Sequence, residues 1–156
     1  MHSRVATSNL LKIVDEDGTD VVCIQEPYVI NKIAGIPRKH KIYATEEGRH
    51  RAAIVVTNDQ IESLLLRQLS DEDTVVLEVL SDKVKTIITS MYFDINRQIE
   101  DDLNKTDAIM QHAKGAGVLV AIDSNSRSKM WNDNQTNARR KIIEELLTSK
   151  QLHILN

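Results

Sequence analysis

An α/β or α+β sandwich is the fold class that this 156-residue sequence predicts. Three observations point there. Apolar runs of strand length recur at residues 20–25, 52–57, 74–80, 84–91 and 118–122. Segments with helical spacing of apolar residues stand among them, so strands and helices must share one core. Finally, no Gly-rich phosphate loop of the nucleotide-binding kinds is present, which weakens a doubly wound nucleotide-binding architecture.

Taken in chain order, each element has its own signal. Ser3 is placed to cap a helix over residues 4–16, with Ala6, Leu10, Ile13 and Val14 on one face. Asp17-Gly18 offers its stop. Residues 20–25, apolar through their middle, predict a strand covered on both faces, ended by Pro27 after Glu26. Residues 27–40, which include Gly35 and Pro37, read as a loop. A second buried strand is predicted at 52–57, whereas 61–66 suits a helix or a strand equally. Residues 74–80 and 84–91 predict a hairpin turning at Ser81-Asp82-Lys83. A helix over 98–114 carries Ile99, Leu103, Thr106 and Met110 in one stripe and stops at Gly115. Residues 118–122 predict another buried strand and 123–135 a polar loop. A last helix over 136–150 presents Ile142, Ile143, Leu146 and Leu147, and 152–155 begins one more strand. With no repeat, low-complexity tract or linker, residues 1–156 read as one domain.

Composition narrows the function classes. An apolar share of 41% is ordinary for a globular chain. No run approaches the ~20 apolar residues that cross a bilayer, so no membrane role is expected. The start of the chain lacks a secretory pattern, and the single cysteine, Cys23, has no partner for an internal disulfide; both predict an intracellular setting. The net charge of −3 argues against a module that only grips nucleic-acid backbone. It argues less against a nuclease, because a metal-dependent site spends carboxylates on its cation. One Trp, three Tyr and one Phe leave little for a base-stacking surface.

Chemistry is expected where strands end in polar residues. The first strand yields Gln25-Glu26, the strand at 84–91 leads to Tyr92, and the strand at 118–122 leads to Asp123 and Asn125. Strand ends that point the same way gather distant residues into one cleft. Glu26, Asp123 and Asn125 offer the carboxylate and amide oxygens that a hard cation such as Mg²⁺ takes. Each also has a plain structural role: Glu26 as a solvated strand end, Tyr92 as a half-buried core residue, Asp123 and Asn125 as a turn.

The combined pattern resembles a known family. Ile24-Gln25-Glu26-Pro27-Tyr28, Ser90-Met91-Tyr92-Phe93 and Ala121-Ile122-Asp123-Ser124-Asn125-Ser126-Arg127-Ser128 with Trp131 are similar to segments of the endonuclease domain of non-LTR (LINE-type) retrotransposons. The similarity continues through Thr136-Asn137-Ala138-Arg139 and Leu152-His153-Ile154-Leu155-Asn156. That domain belongs to the endonuclease/exonuclease/phosphatase superfamily, with the apurinic/apyrimidinic endonucleases, deoxyribonuclease I and the inositol-polyphosphate phosphatases. The resemblance implies a four-layered sandwich of two mixed sheets flanked by helices. It implies a Mg²⁺- or Mn²⁺-dependent DNA endonuclease that nicks a target duplex for a reverse-transcriptase domain in the same polyprotein, acting in the nucleus. By position, Glu26 looks like the metal-binding glutamate and Tyr92 like the tyrosine at the scissile phosphate. Asp123 looks like the residue that orients or deprotonates the attacking water, and Asn125 like the one holding phosphate and nucleophile. Arg127 and Ser128 are candidates for phosphate or DNA contact.

The family pattern also includes a metal-site asparagine on a strand before the first helix and a closing Ser-Asp-His segment. Neither is found between Met1 and Asn156, so the resemblance implies a domain lacking its first and last strands, with little activity as it stands. Arg140 and Asn132 replace a common glycine and histidine of relatives, as a decaying or domesticated copy would. A catalytically dead remnant that binds DNA or protein is therefore one alternative, and a phosphatase of the same superfamily another. Arg38-Lys39-His40-Lys41, Arg49-His50-Arg51 and Arg139-Arg140-Lys141 are basic clusters open to DNA backbone or simply to solvent. His40 and His50 lack zinc-ligand spacing.

Overall fold

The computed structural model describes residues 3–46, 48–128, 130 and 137–155. The expectations for Trp131, Asn132, Thr136 and Asn156 lie outside these residues. Helix α1 covers Arg4–Asp17, capped as expected: the Ser3 side chain accepts a hydrogen bond from the Ala6 amide, and Gly18 closes the helix at φ 62°. Strand β1 is Val21–Gln25. The segment expected as a loop holds a small hairpin, β2 (Val29–Ile30) with β3 (Lys32–Ile33), turned at Asn31 with φ 61°. Strand β4, Lys41–Tyr43, has no sequence signal, because three residues are too few to show alternation. Strands β5 (Ala52–Val56) and β6 (Glu62–Leu65) follow, which decides the ambiguous segment as strand. After a 3₁₀ turn at Arg67–Leu69 come β7 (Thr74–Ser81) and β8 (Val84–Tyr92). Helix α2 (Ile99–His112), strand β9 (Gly117–Asp123) and helix α3 (Arg139–Ser149) complete the order.

Two larger sheets result. One runs β1-β5-β4, wholly antiparallel. The other runs β6-β7-β8-β9, antiparallel except where β9 lies parallel to β8. The β7–β8 hairpin turns on Asp82 and Lys83, both at positive φ, the geometry that matches strand twist in a two-residue turn.

Period-two alternation explains how the sheets stack. Ala52, Ile54 and Val56 of β5 meet Val75, Leu77 and Val79 of β7 and Ile88 of β8, forming the core between the sheets. The alternate residues Ala53 and Val55 of β5, with Ile24, face Leu10 of α1. On the far side of the second sheet, Val76, Ile87, Met91 and Phe93 pack with Ile99 and Ile109 of α2 and Ile143 of α3. The layers are thus α1, first sheet, second sheet, and α2 with α3: an α+β sandwich of four layers.

Three expectations need correction. The apolar face of α1 buries Thr7 and Val14, while Ile13 is exposed, since the helix touches its sheet along a narrow line. Strand β9 is an edge strand rather than a buried one, with Leu119 40% exposed. Residues 152–155 follow α3 without strand structure, and Leu155 is exposed, for no strand of either sheet lies beside them. No helix among the described residues is long and apolar enough to cross a membrane.

Ile54 is fully buried at the centre of the inter-sheet core. Ile54→Ala is expected to lower unfolding stability by about 2–5 kcal/mol in urea denaturation. A loss within error would show that the two sheets do not share a packed core.

Candidate active site at one end of the sheets

The alternation that builds the core also sets the direction of the site. Along β8, Ile87 and Met91 point to the helices, so Ser90 and Tyr92 point to the first sheet. In β9, Val118, Val120 and Ile122 pack on the helix side, so Ala121 and Asp123 share the other face. Tyr92 and Asp123 are register partners, the last residues of neighbouring parallel strands.

The end of β1 is tied to the same place. Gln25 Nε2 donates to Ser90 Oγ at 3.0 Å and to the Ala121 carbonyl at 3.2 Å, crossing from one sheet to two strands of the other. Ser90 Oγ in turn donates to the Ile24 carbonyl at 3.1 Å. Glu26 follows Gln25 directly. It sits half-buried at φ 51°, with its amide donating to the Arg51 carbonyl at 2.7 Å. The structure therefore brings Glu26, Tyr92 and Asp123 to one end of the sheets.

Asn125 joins them through a tight turn. Its amide donates to Asp123 Oδ1 at 3.1 Å, it adopts φ 49°, and its Nδ2 donates to the Phe93 carbonyl at 2.9 Å. The turn that Asp and Asn favour is present, and it fixes the amide plane of Asn125 beside Asp123. Asn137 clamps the following loop, donating from Nδ2 to the Asn125 carbonyl and accepting from the Arg127 amide at Oδ1. Arg127 is exposed. Ser128 is placed otherwise than a DNA contact requires. It is 2% exposed and its hydroxyl donates to Glu144 Oε1 at 2.6 Å, so it fastens the loop to α3.

Sequence reasoning missed the ionic cluster behind Tyr92. Arg51, read as part of a surface basic cluster, has a side chain only 12% exposed. Its Nη2 donates to Asp73 Oδ2 at 2.8 Å, its Nε lies 2.5 Å from Asp73 Oδ1, and its Nη1 donates to Asp94 Oδ2 at 2.5 Å. Its guanidinium carbon stands 5.2 Å from the centre of the Tyr92 ring. Arg97 adds pairs to Asp73 and Glu72, and Arg139 Nη1 donates to the Asp94 carbonyl. One signal was available: an arginine directly before an unbroken apolar strand cannot avoid partial burial, and buried cations need buried anions.

The carboxylates divide by environment. Asp94 is held down at about 2, first by the Asn96 amide and then by Arg51. Burial raises Asp73 in spite of Arg51. Arg51 is raised although burial opposes its charge, because its hydrogen bonds to Asp94 and Asp73 prevail.

Glu26, Asp123 and Asn125 supply hard oxygen donors. Among the described residues, no three His, Cys, Asp or Glu side chains stand together as a cage for a metal. Mg²⁺ does not need one, since it keeps several waters and takes one or two carboxylates. The donor chemistry fits an open, water-rich cation site. Tyr92 adds a hydroxyl able to donate to an anionic oxygen.

Asp102 supplies a test of the electrostatics around α3. Burial pushes its carboxyl up to about 6, its Oδ2 lacks a hydrogen bond, and Arg139 Nη2 is 3.8 Å away. A carboxyl raised on folding stabilises the fold below its ordinary value of 3.8 and loses that contribution as pH rises through about 6. Asp102→Asn is therefore expected to be more stable than the parent above pH 6, with the difference vanishing as pH falls towards 3.8. Denaturation midpoints across that range check it; a constant difference would reject the raised carboxyl.

Residues 86–156 match the family model described as Endonuclease-reverse transcriptase. No curated protein matches the chain. Among solved structures, the endonuclease domain of TRAS1, a telomere-specific non-LTR retrotransposon, superposes with a TM-score of 0.85 at 24% identity, over 99% of this chain and 68% of that one. Humanized D. rerio TDP2 gives a TM-score of 0.55 at 17% identity over 85% of this chain and 60% of that one. D. rerio TDP2 complexed with a single-strand DNA product gives 0.53 at 17% identity, over 85% and 58%. The fold is that of the TRAS1 endonuclease domain, and residues 86–156 are similar to the family described as Endonuclease-reverse transcriptase.

Proposed function

We propose that this chain is a phosphodiesterase unit that nicks duplex DNA with Mg²⁺ or Mn²⁺ and primes reverse transcription by a domain of the same polyprotein. The observation that carries the reading is the pairing of Tyr92 with Asp123 at parallel strand ends, on the face that Gln25 ties to Glu26. The TRAS1 likeness supports the endonuclease assignment, and the TDP2 complex shows a protein of related fold with single-strand DNA product.

In this reading Glu26 and the neighbouring oxygen donors hold the cation, which when bound stabilises negative charge on the phosphate. Asp123 accepts a proton from the attacking water and aligns it with the leaving oxygen. Asn125, its plane set by Phe93, holds the phosphate beside that water. Tyr92 donates to a non-bridging oxygen whose charge grows in the transition state. Exposed Arg127 meets the DNA backbone.

A second reading is a folded remnant that binds DNA or protein without cutting. Nicking of supercoiled plasmid by the protein in its full reading frame separates the two. The nuclease reading expects Mg²⁺-dependent relaxation, abolished by chelator. Asp123→Asn is expected to lower turnover by about 10²–10⁴ with little change in DNA affinity. Glu26→Gln is expected to raise the Mg²⁺ concentration needed for half-maximal rate. Nicking that survives excess chelator, or full turnover in Asp123→Asn, would overturn these roles.

A further inference from the structure

Arg51 lies behind the site and connects two of its members. Its carbonyl accepts the Glu26 amide, at the one point where β1 leaves its sheet in a left-handed turn. Its guanidinium stands 5.2 Å from the Tyr92 ring centre. Asp73, which holds Nε and Nη2, also accepts the Tyr92 amide at its own carbonyl, 2.8 Å away. Asp94, which holds Nη1, is joined through its carbonyl to Arg139 at the head of α3. Helix α3 follows Asn137, the clamp on Asn125 and Arg127. One residue thus meets the β1 end through its backbone and, through its side chain, the β8 end and the support of the β9 loop.

We propose that Arg51 is the positioning residue of this site, fixing the Tyr92 ring relative to Glu26 while remaining out of reach of the substrate. The argument is geometric. Tyrosine has two side-chain torsions, and the inter-sheet face at Tyr92 lies at the sheet end, where apolar packing covers only part of the ring. A cation prefers the ring face over its edge, so the guanidinium selects one ring orientation. The guanidinium cannot drift, because its planar fork is fixed by carboxylates on two sides. Lysine keeps the charge and loses the fork, which makes Arg51→Lys the informative change.

This inference rests on the nuclease reading for its kinetic arm only. In the full-reading-frame protein, Arg51→Lys is expected to lower the nicking kcat about tenfold with KM little changed. In a Tyr92→Phe background the same change is expected to cost less than about twofold, since the hydroxyl being positioned is gone. Equal losses in both backgrounds would overturn the proposal, for they are what a mere loss of folded protein produces. The second arm needs no activity. In protein with ¹³C-labelled tyrosine, Arg51→Lys is expected to shift the Tyr92 ring signals, assigned through Tyr92→Phe, and to leave those of Tyr28 and Tyr43 in place. Unmoved Tyr92 signals would overturn it. If Arg51→Lys fails to fold, Arg51→Gln combined with Asp73→Asn removes charge from both partners and serves in both arms. A parent protein that does not nick DNA would sink the nuclease reading alone, and the ring signals would still decide for or against Arg51.

Discussion

Two sheets that share an apolar core are free to slide, because hydrophobic packing has little direction. Hydrogen bonds have direction, and side chains crossing between the sheets supply the fixing points, Tyr43 to Ser63 at one place and Gln25 at the candidate site. Gln25 reaches from the end of β1 to Ser90 Oγ and to the Ala121 carbonyl, and Ser90 returns a bond to the β1 backbone. These bonds lie between sheets, where an unmet amide would cost about 1–3 kcal/mol, so the register that satisfies them is strongly preferred. Everything at the site follows from that register. Glu26 leaves β1 where it does, Tyr92 and Asp123 share a face, and Asn125 turns back onto Phe93.

The ionic cluster acts at a second level. Arg51 could have been left in water at the sheet end, but its fork is enclosed by Asp73 and Asp94, with Glu72 at 3.7 Å. Partly buried ion pairs add little net stability, since lost hydration offsets much of their attraction. Their contribution is geometric: planar groups with fixed partners do not wander. A site assembled from β1, β8 and a loop after β9 gains more from such fixing than from further apolar area.

The sequence made the fold legible where periodicity was long enough to read. Alternation over β7 and β8 revealed the hairpin, and of the 14-residue helices α1 announced its cap and stop while α2 announced only its stop near Gly115. The two-residue strands and β4 were invisible because they are too short for a period to appear. Strand β9 misled in the other direction: Val118 to Ile122 is apolar throughout, which reads as burial on both faces, yet the strand stands at a sheet edge. Glu26, Tyr92, Asp123 and Asn125 stood out as candidates because each ends or closely follows a strand. The Arg51 cluster was not. Its partners lie 22 and 43 positions away, and nothing in the composition of any one segment joins them. Ser128 shows the opposite error, a loop hydroxyl that a sequence offers to solvent and the fold hands to Glu144.

The Gln25 bonds span 65 and 96 residues of chain, so the site exists only after distant segments have docked. Such long-range closure is slow to form and is lost as a unit. A partly folded chain, with its hairpin and helices in place but the sheets apart, would hold Glu26 and Asp123 on separate bodies. The candidate site is therefore complete only when the fold is complete. Under the proposed nuclease reading, that coupling would leave nascent and misfolded copies unable to cut duplex DNA, a property of the topology rather than of any one residue.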